Sequence, residues 1–163
     1  MRIGKTAAAA LIWLALALPA AAQETGIAFG GLRTDISQPV QVDADSLSIN
    51  QGDGSATFTG NVVISQGDMR LQAALVSIVY SADRQSIASM RAEGGVTLSA
   101  GSDAAKAQTA EYLPGTGELT LSGDVVLTQG QAAISGQKLV LNLQTGLGTM
   151  SGRVTTIFTP GGN

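Results

Sequence analysis

The chain contains no cysteine and no histidine. The first absence excludes a disulfide framework and a catalytic thiolate; the second removes the commonest general base and the commonest metal ligand. Large aromatic side chains are scarce as well, with one Trp, two Tyr and three Phe. Any interior must therefore be filled mainly by slim aliphatics, Ala and Gly. Positive charge is in short supply too: 9 Lys and Arg face 12 Asp and Glu. That balance gives no basic footprint for nucleic acid or an anionic membrane surface.

Hydrophobic residues are present in two different patterns. The first is a short continuous run. Arg2 and Lys5 precede the apolar stretch "AAAALIWLALAL" at residues 7–18, and Ala20 and Ala22 then precede Gln23. A basic start, a dozen apolar residues and a small-residue pair describe a cleavable secretory signal peptide over residues 1–22. The run falls short of the roughly 20 residues that span a bilayer. Cleavage leaves 141 of the 163 residues, without Trp13, and 7 basic against 12 acidic side chains, a net charge of −5. Without a disulfide staple, such a domain depends on apolar burial alone.

The second pattern is alternation. After a segment expected to be flexible at 23–37, the runs "VQVDADSLSIN", "ATFTGNVVIS", "RLQAALVSIVY", "GGVTLSAG", "GELTLSGDVVLTQ", "QAAISGQKLVLNLQ" and "RVTTIF" place apolar residues at every second position. Period-2 runs read as half-buried strands. "SDAAKAQTAEY" (102–112) has local helical character but sits between strands at hairpin spacing, and reads as a strand of small residues. Turns such as "NQGDGS", "SQGD", "PGTG" and "QTGLG" supply the Gly, Asn and Asp that hairpins need. Strands at this spacing, with no helical crossover, define an all-β antiparallel domain at 38–160, followed by a tail at 161–163.

The chain also repeats itself. "FTGNVVISQG" (58–67) returns 63 positions later as "LSGDVVLTQG" (121–130), with five of ten positions identical. Residues 59–80 align without gaps to 122–143, and "GGVTLSAG" (94–101) is a weaker middle copy. The copies start at Gly60, Gly94 and Gly123. A glycine inside a strand marks a bulge, a bend or a close backbone approach, so the repeat is a unit of architecture.

Catalytic chemistry is hard to assemble from what remains. Asp43 and Asp45 share a strand face and form the one carboxylate pair, which reads best as exposed acids on an edge strand; Asp53 and Asp68 are turn residues. "GGLRTD" and "GTGELTLSG" lack the Lys-Ser/Thr of a phosphate loop and the helix of a dinucleotide fold. The chain reads as a non-enzyme with no cofactor and no metal. Its conspicuous feature is an inward apolar face: Val40, Val42, Phe58, Val62, Ile64, Leu71, Val76, Ile78, Val96, Leu98, Tyr112, Leu121, Val125, Leu127, Ile134, Leu139 and Leu141. Such a face is either a filled core or, given the few aromatics, the lining of a space for something long and apolar.

"SQPVQVDADSLSINQGDGSATFTGNVVISQGDMRLQAALVSIVY" resembles the opening of the LptA/OstA family of periplasmic lipopolysaccharide-transport proteins. Gln38, Pro39, Val40, Val42, Phe58 to Val62 and Gln66-Gly67 carry the likeness. "LSGDVVLTQG", "ISGQKLVLNLQTG" and "SGRVTTIFTP" resemble the family's second half, so that residues 37–160 are covered. The resemblance implies an OstA-like antiparallel β-jellyroll, open as a V-shaped two-sheet groove that shields the acyl chains of lipid A. It implies copies joined head to tail between an LptC-like inner-membrane protein and an LptD-like outer-membrane protein. On this reading the face from Val40 to Leu141, with Tyr112, becomes a lipid-binding groove. Val40 and Val42 lie at the N-terminal edge, and Arg153–Phe158 lies at the other. The low basic content departs from the family, so Arg70, Lys106, Lys138 and Arg153 read as solvated surface charge rather than a phosphate cluster. Alternatives are an LptC-like adaptor that keeps its N-terminal segment as an anchor, a non-binding structural β-repeat module, and a closed small-ligand barrel.

Overall fold

In Met69–Tyr80 the side chains of Met69, Leu71 and Ala73 are buried, and burial then resumes at Val76 and Ile78, one residue out of phase. The slip marks a crease that runs through the whole molecule. The computed structural model describes residues 27–28, 32 and 34–160; the expected signal peptide and the tail lie outside them. The strands are β1 (Ile27–Ala28), β2 (Gln41–Asp43), β3 (Ser46–Asn50), β4 (Ser55–Gln66), β5 (Met69–Tyr80), β6 (Ile87–Glu93) and β7 (Val96–Ala100). They continue as β8 (Asp103–Ala107), β9 (Thr109–Leu113), β10 (Glu118–Gln129), β11 (Ala132–Asn142), β12 (Leu147–Ser151) and β13 (Thr155–Phe158).

Every pairing given for these strands is antiparallel. From Gln41 onward they form a meander of long strands, each spanning two half-sheets. β2 and β3 pair with the two ends of β4; β6 and β7 pair with the two ends of β5; β9 and β8 do the same for β10, and β12 and β13 for β11. One half-sheet holds β2, β7, β8 and β13, and the other holds β3, β6, β9 and β12. The segment 102–112, read as a strand of small residues, is the β8–β9 strand.

The crease is built four times. Gly60, Gly94, Gly123 and Gly152 have φ of 83°, 84°, 85° and 82°, and the residue after each is also left-handed: Asn61 at 46°, Gly95 at 87°, Asp124 at 47° and Arg153 at 49°. Two consecutive left-handed residues insert one extra position into β4 and β10, between Thr59 and Val62 and between Ser122 and Val125. The bulged strand bends, and its partner loses phase with it. The repeat seen in the sequence is therefore the crease unit. Gly152 is a fourth copy that sequence similarity did not reveal.

Folding along the crease brings the two inward faces together. Val62, Leu71, Val96, Leu98, Val125 and Leu127 of one half-sheet and Val76, Leu119, Leu121, Leu139 and Leu141 of the other belong to one buried cluster. The segment expected to be flexible is docked where it is described. Ile27–Ala28 pairs with β12, and Leu32 is fully buried in the core. Thr34 donates its backbone N–H to the Leu143 carbonyl at 3.1 Å and its hydroxyl to the Gln66 carbonyl at 3.2 Å. Gln66 ends β4 and Leu143 directly follows β11, in opposite half-sheets, so Thr34 bridges the mouth of the V.

Candidate functional site

Alternation along β4 and β5 sends Ile64, Gln66, Met69 and Leu71 inward from one half-sheet; β6, β9 and β10 send Met90, Ala92, Ala110, Tyr112 and Leu119 inward from the other. Between them lies a cavity of about 30 Å³, completed by Val40, Val76, Leu98 and Leu143. Gln66 is its one strongly polar side chain. With so little free volume, the space anticipated from the scarcity of aromatics is nearly filled by Leu, Val and Met. A second, more open cavity of about 360 Å³ adjoins it, lined by Ile36, Gln38, Ser86, Ile87, Pro114 and Gly115. The two share Val40, Gln66, Met90 and Tyr112, and these four residues form the threshold between mouth and interior.

The expected groove residues separate into three groups. Val40, Ile64, Leu71, Val76, Leu98 and Tyr112 line the inner cavity. Val62, Ile78, Val96, Leu121, Val125, Leu127, Ile134, Leu139 and Leu141 are buried in the core around it. Val42, opposite Ile64 on β2, and Phe58 on β4 are half-buried and pack against that core. Sequence reasoning passed over Met69, Met90, Ala92, Ala110, Leu119, Leu143 and Gln66. For Gln66 the signal was present: it follows Val62 and Ile64 at the same period of two.

Gln66 is only 4% exposed. Its Nε2 donates to the carbonyls of Ile36 and Gln38, both at 2.9 Å, and so pins the incoming segment over the mouth. Its Oε1 is buried and accepts no hydrogen bond among the described residues. Beside it, burial pushes the Tyr112 phenol above its ordinary pKa of 10.0, which keeps the ring neutral in an apolar setting.

The polar residues singled out earlier serve structure. Asp45 accepts from Asn61 Nδ2 at 2.9 Å across the crease, and Asp43 accepts from Gln41 Nε2 at 3.0 Å. Asp124 receives Gln108 Nε2 at 3.0 Å and Gln137 Nε2 at 3.3 Å, which makes the same kind of clasp at the second copy. Arg70, Lys106, Lys138 and Arg153 are all exposed. The first three alternate with inward residues and so face outward; Arg153 sits in the crease. Among the described residues no three metal-ligating side chains come together.

An all-antiparallel sheet creased into two apolar-faced halves, with a threshold between mouth and interior, defines a β-jellyroll. Residues 41–147 match the family described as LptA/(LptD N-terminal domain) LPS transport protein, and the chain belongs to that family. These are transport proteins rather than enzymes. An uncharacterized protein of Rhizobium meliloti is 32% identical over 156 residues, covering 89% of this chain and 84% of that one. The lipopolysaccharide export system protein LptA of Haemophilus influenzae is 29% identical over 140 residues, covering 79% and 81%. The crystal structure of LptH from Pseudomonas aeruginosa, an LptA-homologous periplasmic component of a lipopolysaccharide transport device, superposes with a TM-score of 0.70. The alignment covers 78% of this chain and 99% of LptH at 19% identity, which establishes the shared fold.

Proposed function

We propose that the chain is a periplasmic carrier that shields lipid A acyl chains between its half-sheets. It would receive lipopolysaccharide from an LptC-like inner-membrane partner and pass it to an LptD-like outer-membrane partner, with copies joined head to tail. The observation that carries this reading is the threshold: an apolar interior that opens, past Val40, Met90 and Tyr112, into a cavity at the surface. Each acyl CH₂ exposed to water costs about 0.8 kcal/mol, so a chain of a dozen carbons costs roughly 10 kcal/mol in transit. An apolar track without hydrolytic chemistry meets that need. An interior of about 30 Å³ takes such a chain only after the half-sheets part or the segment around Ile36 lifts, so loading is an opening step.

Edges of the sheet support the chain-to-chain part. β2 and β3 pair only with β4, and β13 only with β11, among the described residues. Leu47, Ile49, Ile157 and Phe158 are exposed there. Such edges template strand addition by another chain. The expected signal peptide and the periplasmic setting of LptH favour the compartment.

The small cavity is also what a non-binding structural module would have, and one experiment separates the two. A photo-crosslinking residue is placed at Ile64, which faces the cavity, and separately at Val63 on the opposite face, in the cell that makes the protein. Lipopolysaccharide adducts at Ile64 and not at Val63 are expected. No adduct at either position in folded, exported protein would leave the filled module as the reading.

A further inference from the structure

We propose that Gln66 Oε1 is a hydrogen-bond acceptor for the hydroxyl of a hydroxylated acyl chain, held where the chain crosses from mouth to interior. The inference rests on the carrier reading and specifies what its threshold recognises. Gln66 is more than nine-tenths buried, and both hydrogens of its amide nitrogen are committed to the Ile36 and Gln38 carbonyls. Those bonds fix which end of the amide is which, and leave the carbonyl end with no donor among the described residues. A buried acceptor left unpaired is destabilising, and buried polar atoms are rarely left so. The inner cavity is lined by Val, Ile, Leu, Met and Ala, with Gln66 and Tyr112 its two side chains that carry polar atoms.

The position selects the ligand atom. An acyl chain entering tail first puts its methylenes among Leu71, Leu98 and Leu119 and leaves its carbonyl end in the mouth cavity beside Gln38 and Ile87. Gln66 lines both spaces, so it meets the few carbons next to that carbonyl end. An acceptor there pairs with a donor, and a hydroxyl on the third carbon supplies one. A plain methylene chain supplies none.

The test uses dodecanoic acid and 3-hydroxydodecanoic acid as probes on the whole domain, read by calorimetry and by the side-chain amide resonances of Gln66. In the wild type the Gln66 amide signals shift with the 3-hydroxy probe and far less with the plain one. In Gln66→Leu the 3-hydroxy probe loses roughly three- to tenfold in affinity relative to dodecanoic acid, the scale of one hydrogen bond. Equal response of the amide signals to both probes in the wild type, or an unchanged affinity ratio in a folded Gln66→Leu, overturns the proposal while leaving a carrier. The amide resonances decide the matter even if Gln66→Leu does not fold. Binding of neither probe removes the carrier reading itself.

Discussion

Gly123 lies so near Gln108 on the neighbouring strand that a Cβ at Gly123 would come within 2.8 Å of the Gln108 Cβ. The same relation recurs between Gly94 and Ala74 and between Gly152 and Gln137, at 2.6 Å each, and between Gly60 and Asp45 at 3.0 Å. Three of the four close approaches are held by the backbone as well: Asp45, Gln108 and Gln137 donate their N–H groups to the carbonyls of Gly60, Gly123 and Gly152 at 2.9, 3.0 and 3.1 Å. Glycine is required there twice over, for its positive φ and for the absent side chain. The crease is therefore the element the sequence must preserve to turn one meander into two facing layers.

Gly123→Ala combines a left-handed alanine, about 1–2 kcal/mol, with a clash of overpacking size, about 1–3 kcal/mol. Gly95 has a φ of 87° but open space around its Cβ position, so Gly95→Ala incurs only the first cost. Chemical denaturation should place Gly123→Ala about 1–3 kcal/mol below Gly95→Ala. Equal midpoints for the two would mean that the contact with Gln108 relaxes freely and that φ alone makes the crease.

The repeat, the strands and the inward parity were legible because a half-buried strand writes its period directly into the residue types. Gly60 and Gly123 were legible because Val-Val and Gln-Gly follow both at the same distance. Gly152 was not: "GRVTTIF" keeps the glycine but leads into an edge strand with exposed Ile157 and Phe158, and the flanking signal disappears with the burial. Leu32 was missed for a different reason. "GIAFGGLRTD" has no period, and its burial is decided by the distant ends of β4 and β11 that Thr34 joins. The cavity residues Met90 and Ala110 became visible only once the crease had set one half-sheet against the other.

Parity within one strand can be checked by a pair of truncations. Leu121 is fully buried, whereas Val126, five residues further along β10 and on the outward phase, is 40% exposed. Leu121→Ala should cost about 2–5 kcal/mol, the range for a buried leucine with limited collapse. Val126→Ala should stay within about 1 kcal/mol, as surface truncations do. A Val126→Ala as costly as Leu121→Ala would place a second packed layer on the outer face and contradict the two-layer arrangement.

The segment that crosses the mouth carries its own acid-sensitive turn. Asp35 accepts from the Ser37 hydroxyl at 2.6 Å, the Ser37 N–H at 3.0 Å and Gln38 Nε2 at 3.3 Å, and these donors hold its carboxyl below the ordinary value of 3.8. A depressed folded pKa means that the stabilisation is fully present above the unfolded value. It is lost as pH falls through the lower, folded one. Protection of the Ser37 and Gln38 amides should therefore exceed that in Asp35→Asn at neutral pH, by an amount that is constant there and shrinks only below about pH 4. An Asp35→Asn variant that matches wild-type protection at neutral pH would show that the carboxylate does not order the turn.

The C-terminal edge offers the sharpest test of end-to-end joining, because its hydrogen-bond phase can be worked out. Thr159 donates its N–H to the Gln131 carbonyl at 3.1 Å, and the register continues as Phe158 opposite Ala132 and Ile157 opposite Ala133. Antiparallel pairs alternate between bonded and non-bonded, so Thr155 and Ile157 bond inward to β11 while Thr156 and Phe158 turn their backbone groups outward. Proline is tolerated at an edge where the missing N–H faced solvent. Thr156→Pro should keep the wild-type melting temperature yet raise the concentration needed for self-association roughly tenfold, the loss of about one hydrogen bond. Ile157→Pro should instead lower the melting temperature, since it breaks the ladder to Ala133. Sedimentation velocity across a concentration series reads the first and thermal unfolding the second. If Thr156→Pro associates as the wild type does, β13 is not the joining edge, and the contact between copies has to be sought at the β12 side, where Ile27–Ala28 already occupies the strand.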